Sequence, residues 1–122
     1  MARRILLVDD DESIREIVDL CLTEEGYEVV TVAHGEAALA VVGDYQPHLI
    51  LLDLRMPVMD GWQFARDYQA RPGPHAPIVA FVAALDAEQE TAELGAVGVL
   101  AKPFDIEDLV QTVNRQTSPA QA

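Results

Sequence analysis

Several features that mark large protein classes are scarce or missing in this sequence. Cys21 is the only cysteine, which excludes an intrachain disulfide and a cysteine-ligated zinc cluster and suits a reducing compartment. It sits among apolar residues at helical spacing, so it is expected to be a small buried hydrophobe. Basic residues are few. The chain has 8 Lys and Arg against 21 Asp and Glu, a formal net charge of -13. Such a surface repels nucleic-acid phosphates and anionic membranes, so neither nucleic acid nor membrane is expected as a partner. Long apolar runs are also missing. The stretch that follows Met1-Ala2-Arg3-Arg4 extends only from Ile5 to Val8, far short of a signal peptide or membrane span, and a cytoplasmic location is expected. No glycine-rich phosphate loop occurs. His34, His48 and His75 show no metal-ligand spacing.

The sequence does contain the makings of one packed domain. Its 122 residues are 50% hydrophobic and 24% charged, a balance typical of ordinary globular proteins, at a length suited to a single core. Ile5 to Val8 forms a short apolar run stopped by Asp9-Asp10-Asp11, a pattern that predicts a strand buried on both faces. Ile14, Ile17, Val18, Cys21 and Leu22 then recur by threes and fours, which predicts a helix capped by Asp11 and stopped by Gly26. Glu28 to Val32 reads as a strand and Glu36 to Val42 as a short helix. His48 to Leu52 reads as a buried strand ending at Asp53.

The alternation continues to the C-terminus. Asp60-Gly61 opens a helix with Trp62, Ala65 and Tyr68 on one face, and Arg71-Pro72-Gly73-Pro74 breaks it. Pro77 to Ala84 is strand-like, residues 86–93 suggest a short helix, and Gly98 to Ala101 a last strand. Ile106, Leu109, Val110 and Val113 then mark a closing helix with Asp105 as its N-cap. Five strands alternating with five helices imply right-handed crossovers and a parallel α/β sheet covered on both faces. Residues 1–116 are expected to form the domain and residues 117–122 a flexible C-terminal tail.

Ligands of such sheets bind beyond the carboxyl ends of the strands. Asp9 and Asp10 end the first strand and Asp53 the third, so three carboxylates converge if these strands are neighbours. That crowding favours a hard divalent cation, whose waters a phosphate can replace. Lys102, ending the last strand, adds a second positive charge. Together they describe a phosphoryl-binding site.

Three blocks carry a family resemblance: Leu7-Val8-Asp9-Asp10, the run from Asp53 to Gly61 (Asp-Leu-Arg-Met-Pro-Val-Met-Asp-Gly), and Lys102-Pro103-Phe104. In order and placement they resemble the receiver domain of two-component response regulators, over nearly the whole chain. The resemblance implies a flavodoxin-like, doubly wound (βα)5 fold with five parallel strands in the order 2-1-3-4-5. It implies phosphorylation of Asp53 by a sensor histidine kinase or histidine phosphotransfer protein, with Mg2+ (or Mn2+) as cofactor. Asp10 would bind the cation directly, Asp9 through water, and Asp53 and the backbone carbonyl of Arg55 would complete the protein ligands. Lys102 would pair with Asp53 and then with the phosphoryl oxygens, and Lys102-Pro103 would be a cis peptide. Arg55, Ala83 and Ala84 occupy positions that would modulate the site.

The sequence departs from that family at two places. A Ser or Thr usually ends the fourth strand, and Val82 stands there. The flanking Phe81 and Ala83 offer no hydroxyl either. An aromatic residue usually occupies the position of Val99 on the fifth strand, so both members of the usual switch are apolar. The expected function is a single-domain response regulator, with no output domain after residue 116, that signals to an unknown downstream protein by docking. The alternative is a receiver-like scaffold or phosphate sink in which phosphorylation is uncoupled from shape. A metabolic enzyme is not expected, since an aspartyl-phosphate hydrolase or phosphotransferase needs a further acid or base beside its nucleophile.

Overall fold

The computed structural model describes residues 3–56, 59–83 and 94–117. Along the chain it has β1 (Arg4–Val8), α1 (Glu12–Glu24), β2 (Glu28–Val32), α2 (Gly35–Tyr45), β3 (Leu49–Asp53), α3 (Gly61–Gln69), β4 (Ile78–Ala83), β5 (Gly98–Lys102) and α4 (Ile106–Thr117). All strand pairs are parallel and the order is β2-β1-β3-β4-β5. This is the flavodoxin-like order that the resemblance implied. The short helix expected over residues 86–93, and Ala84 before it, lie outside the described residues.

The apolar runs explain which strands are central. Every side chain from Ile5 to Val8 and from Leu49 to Leu52 is fully buried, because β1 and β3 have neighbours on both edges and helices on both faces. Their side chains alternate between two cores. Leu6, Val8, Ile50 and Leu52 face Ala38 and Val42 of α2 and Phe64, Ala65 and Tyr68 of α3. Ile5, Leu7, Leu49 and Leu51 face Val18 and Leu22 of α1 and Leu109 and Val113 of α4. Burying each such aliphatic side chain contributes roughly 1.5–3 kcal/mol. A one-residue register slip would exchange the two cores, so pairings such as Leu6 with Ile50 are strongly specified.

Local chemistry sets the helix ends. The Asp11 carboxylate accepts the Ser13 and Ile14 N–H groups at 2.9 and 3.3 Å, and α1 stops before Gly26, whose φ of +96° suits glycine. Asp60 caps α3 by accepting the Gln63 N–H at 2.9 Å. His34 caps α2, its Nδ1 accepting the Ala37 N–H at 3.1 Å, a role invisible in the sequence because imidazole is an uncommon cap. Ahead of α4, the Asp105 carbonyl accepts the Leu109 N–H at 3.1 Å.

Two expectations need correction. Cys21 is half-buried rather than buried, and Ile17 is exposed, because α1 meets the sheet along Val18 and Leu22 while its other apolar residues flank that line. Trp62 does pack against the core as expected, partly buried, beside the fully buried Phe64. Thr117, expected to begin a flexible tail, is the buried last residue of α4. Its hydroxyl donates to the Val113 carbonyl at 2.8 Å and meets the Tyr27 hydroxyl at 3.0 Å, and Tyr27 also donates to Asn114. Residues 118–122 lie outside the described residues. Among the described residues, no helix is long and apolar enough to cross a membrane.

Candidate functional site

Strand pairing brings the acidic residues together. Val8 and Leu52 are register partners in adjacent strands, so the next residue of each chain segment, Asp9 and Asp53, emerges side by side at the carboxyl edge. One ligand oxygen from each of Asp9, Asp10 and Asp53 lies within 4.8 Å of the others. Asp9 is fully buried, Asp53 is 4% exposed, and Asp10 faces solvent.

Backbone contacts hold the two buried carboxylates. Oδ1 of Asp9 accepts the Asp11 N–H at 2.9 Å, and Oδ1 of Asp53 accepts the Arg55 N–H at 3.1 Å. The opposite oxygens turn toward Lys102, which ends β5 and precedes a cis peptide bond to Pro103. Lys102 Nζ is 2.9 Å from Asp9 Oδ2 and 3.5 Å from Asp53 Oδ2. The resemblance implied Asp53 as the lysine's partner, and Asp9 is the nearer. Asp9 Oδ2 is buried and receives no well-directed hydrogen bond, so its attraction for the ammonium is chiefly ionic. A buried, incompletely satisfied carboxylate oxygen draws the nearest cation strongly.

These contacts set the protonation of the site. Burial pushes Asp53 up to about 6. The Arg55 N–H opposes that rise, Asp9 reinforces it, Lys102 opposes it, and Asp10 adds a smaller upward influence. For Lys102, burial favours the neutral amine, yet contact with Asp9 and the charge of Asp53 prevail and raise its pKa. One ammonium therefore lies against two buried carboxylates, with the Asp10 carboxylate beside them. The donor set is all oxygen, with a buried carboxylate oxygen lacking a directed hydrogen bond, which fits a small hard cation such as Mg2+ and not a soft metal.

Gly61 and Arg15 support the site, and the sequence reading assigned neither of them this part. A Cβ at Gly61 would come within 2.5 Å of the Asp53 carbonyl oxygen and 2.8 Å of Leu54 Cα, so only glycine lets the start of α3 pack against the end of β3. Arg15 of α1 donates from Nη1 to the Asp9 carbonyl at 2.8 Å. Its signal in the sequence is weak, since an arginine in the second turn of a helix is ordinarily read as a solvated charge.

The other expected positions surround this centre. Val82 is 1% exposed and pairs with Ala101, while Ala83 pairs with Lys102. Val99 lies on the edge strand at 36% exposure. Ala84 lies outside the described residues. His48 and His75 are remote from the carboxylates, at the other end of the sheet. His48 Nδ1 accepts the Arg4 N–H at 2.8 Å, and the His75 ring packs edge-on against Tyr68.

Comparison with known proteins agrees with this arrangement. The family model described as "Response regulator receiver domain" matches residues 5–114. Sporulation initiation phosphotransferase F of Bacillus subtilis (strain 168) is 35% identical over 116 residues, covering 94% of each chain. The chain spans about half the length of other curated relatives it matches, among them DNA-binding response regulators. Chemotaxis response regulator CheY4 of Vibrio cholerae superimposes with a TM-score of 0.87 at 35% identity, covering 95% of this chain and 99% of that one. The receiver domain of sensor histidine kinase PA1611 from Pseudomonas aeruginosa PAO1, solved with a magnesium ion coordinated in its active-site cleft, gives a TM-score of 0.86 at 32% identity, covering 96% and 98%. Receiver domains are signalling proteins that interact with histidine kinases and phosphotransfer proteins, not metabolic enzymes. With its sheet order, its carboxylate cluster and a family match over nearly its whole length, this chain belongs to the response regulator receiver domain family.

Proposed function

We propose that Asp53 accepts a phosphoryl group from the phosphohistidine of a sensor histidine kinase or histidine phosphotransfer protein, and that the signal passes on by docking to a downstream protein. The observation that carries this reading is the pairing of a nearly buried Asp53 carboxylate with the Lys102 ammonium beside Asp9 and Asp10. A carboxylate serving only as a strand cap would have no reason to be buried among like charges.

Each residue then has a part. The Arg55 N–H fixes the plane of the Asp53 carboxylate, leaving an oxygen to attack phosphorus in line. Lys102 moves from the carboxylates toward the incoming phosphoryl oxygens and neutralises their charge. Asp9, Asp10, Asp53 and the Arg55 carbonyl would hold Mg2+ (or Mn2+), which when bound neutralises the carboxylates and the phosphoryl group together. The product is an acyl phosphate on Asp53, whose hydrolysis resets the protein. With a net charge of -13, the output of this domain is a protein contact and not nucleic-acid binding.

The test is incubation with Mg2+ and a small-molecule phosphodonor, followed by mass spectrometry. The expected outcome is a Mg2+-dependent phosphoryl adduct absent from Asp53→Asn. No adduct in the wild type would sink the reading. A second reading, a scaffold or phosphate sink, is favoured by the buried Val82, which leaves no hydroxyl at the end of β4 to follow the phosphoryl group. An adduct with unchanged affinity for an isolated binding partner would select it.

A further inference from the structure

A cavity lies away from the carboxylates, at the amino ends of β1, β3 and β4. It is an open pocket of about 500 Å3, within the range of small-molecule sites. Arg4, His48, Arg71 and His75 line it, and no Asp or Glu does. In a chain with 21 acidic residues and 8 Lys and Arg, that exclusion makes the pocket a local positive field in a negative molecule. Its remaining walls are largely apolar, with Val42, Tyr68, Pro47, Pro72, Pro74 and Pro77.

The walls are also held in place. Tyr68 accepts the Ala76 N–H at 2.7 Å, and His75 Nε2 contacts the Arg71 carbonyl at 2.7 Å while its ring meets Tyr68 edge-on. Because His48 Nδ1 accepts the Arg4 N–H, its neutral ring carries the proton on Nε2 and can donate there. The two arginines differ. Arg4 Nε donates to the Tyr45 and Gln46 carbonyls at 2.9 and 3.0 Å, compensating the C-terminal end of α2. The Arg71 guanidinium has no hydrogen-bond or ion-pair partner among the described residues, and it stands over Gly43, where a Cβ would lie 3.9 Å from Nη1. Capping of α2 accounts for Arg4 and leaves Arg71 unexplained.

The geometry points to this pocket as a binding site for a small carboxylate with a flat apolar body, its carboxylate on the Arg71 guanidinium and its body between the proline and Tyr68 walls. Arg is suited to that headgroup because its planar fork matches a carboxylate in two parallel hydrogen bonds. The site is separate from the acidic edge, which repels the same ligand.

Titration of the full chain with 2-naphthoate, followed by amide NMR, tests the assignment. Saturable shifts are expected at the amides of Gly43, Gly73, His75 and Ala76, retained in Asp53→Asn, with the affinity weakened about tenfold or more in Arg71→Gln, the loss appropriate to a charge-assisted hydrogen bond. Arg71→Lys should keep part of the affinity, and Arg71→Gln should keep the wild-type melting curve because residue 71 is exposed. Uncharged 2-naphthalenemethanol should bind more weakly than naphthoate. Equal binding of the two compounds, shifts confined to other surfaces, or no saturable shifts would each overturn the assignment.

Discussion

Lys102 reaches past the proposed phosphoacceptor: its Nζ is 2.9 Å from Asp9 Oδ2. The lysine therefore has two tasks that a substitution separates, stabilising a buried carboxylate at rest and neutralising phosphoryl charge in reaction.

Removing that ammonium should destabilise the fold. Lys102→Met leaves Asp9, which is fully buried, without its cation, and the expected loss is roughly 3 kcal/mol in urea unfolding. Mg2+ should recover much of it by supplying another cation. A variant as stable as wild type without Mg2+ would show that Asp9 does not depend on Lys102.

Asp53 should make stability depend on pH. Its pKa rises from an ordinary 3.8 to about 6, chiefly through burial. The native state then holds a proton that the unfolded chain has lost, so this group's contribution is present at low pH and is lost as pH rises from about 4 through 6. Asp53→Asn should be more stable than wild type near pH 7 in the absence of Mg2+, and the gap should close toward pH 4. Parallel stability curves for the two proteins would contradict this.

Gly61→Ala should damage the site without touching a charged group. Its Cβ would meet the Asp53 carbonyl oxygen at 2.5 Å, and backbone must shift to relieve the overlap. We expect a loss of roughly 1–3 kcal/mol, together with slower phosphorylation of Asp53, measured by mass spectrometry at fixed phosphodonor.

Val82→Thr tests the missing hydroxyl. Val and Thr have the same shape, but Val82 is 1% exposed, so the new hydroxyl should cost about 1–3 kcal/mol when unpartnered. With beryllofluoride and Mg2+ bound, it should gain a partner, and the NMR shift changes across β4 and β5 should exceed those of the wild type. Equal changes in both proteins would remove Val82 from the account of signalling.

Tyr27→Phe should loosen the end of α4. Its hydroxyl bonds to Asn114 and Thr117, and the expected cost is about 1 kcal/mol. Faster amide exchange should appear at the last turn of α4, with Asp53 phosphorylation unchanged.

The parts of the fold readable in advance were those written as local patterns. Ile5 to Val8 and Leu49 to Leu52 are apolar without interruption, which only a strand covered on both faces requires. Asp11 and Gly26 are strong helix punctuation, and Asp9, Asp10 and Asp53 fall where strands end. What escaped depends on contacts distant in sequence. Thr117 becomes part of α4 through Tyr27, 90 residues earlier. The preference of Lys102 for Asp9 arises because Asp9 is the more deeply buried carboxylate, which no spacing reveals. The basic pocket joins Arg4 to Arg71 and could not be seen until β1, β3 and β4 were aligned.

That pocket also gives β1 two electrical ends. Arg4 opens the strand and Asp9 follows its last residue, so one straight segment, roughly 17 Å long at about 3.3 Å per residue, has a cation at its tail and a carboxylate at its head. The molecule is in this respect a short bar with poles. The two ends of this strand therefore present different chemistry to whatever approaches them, carboxylates and a lysine at the edge that holds Asp53 and arginine at the edge that holds the pocket.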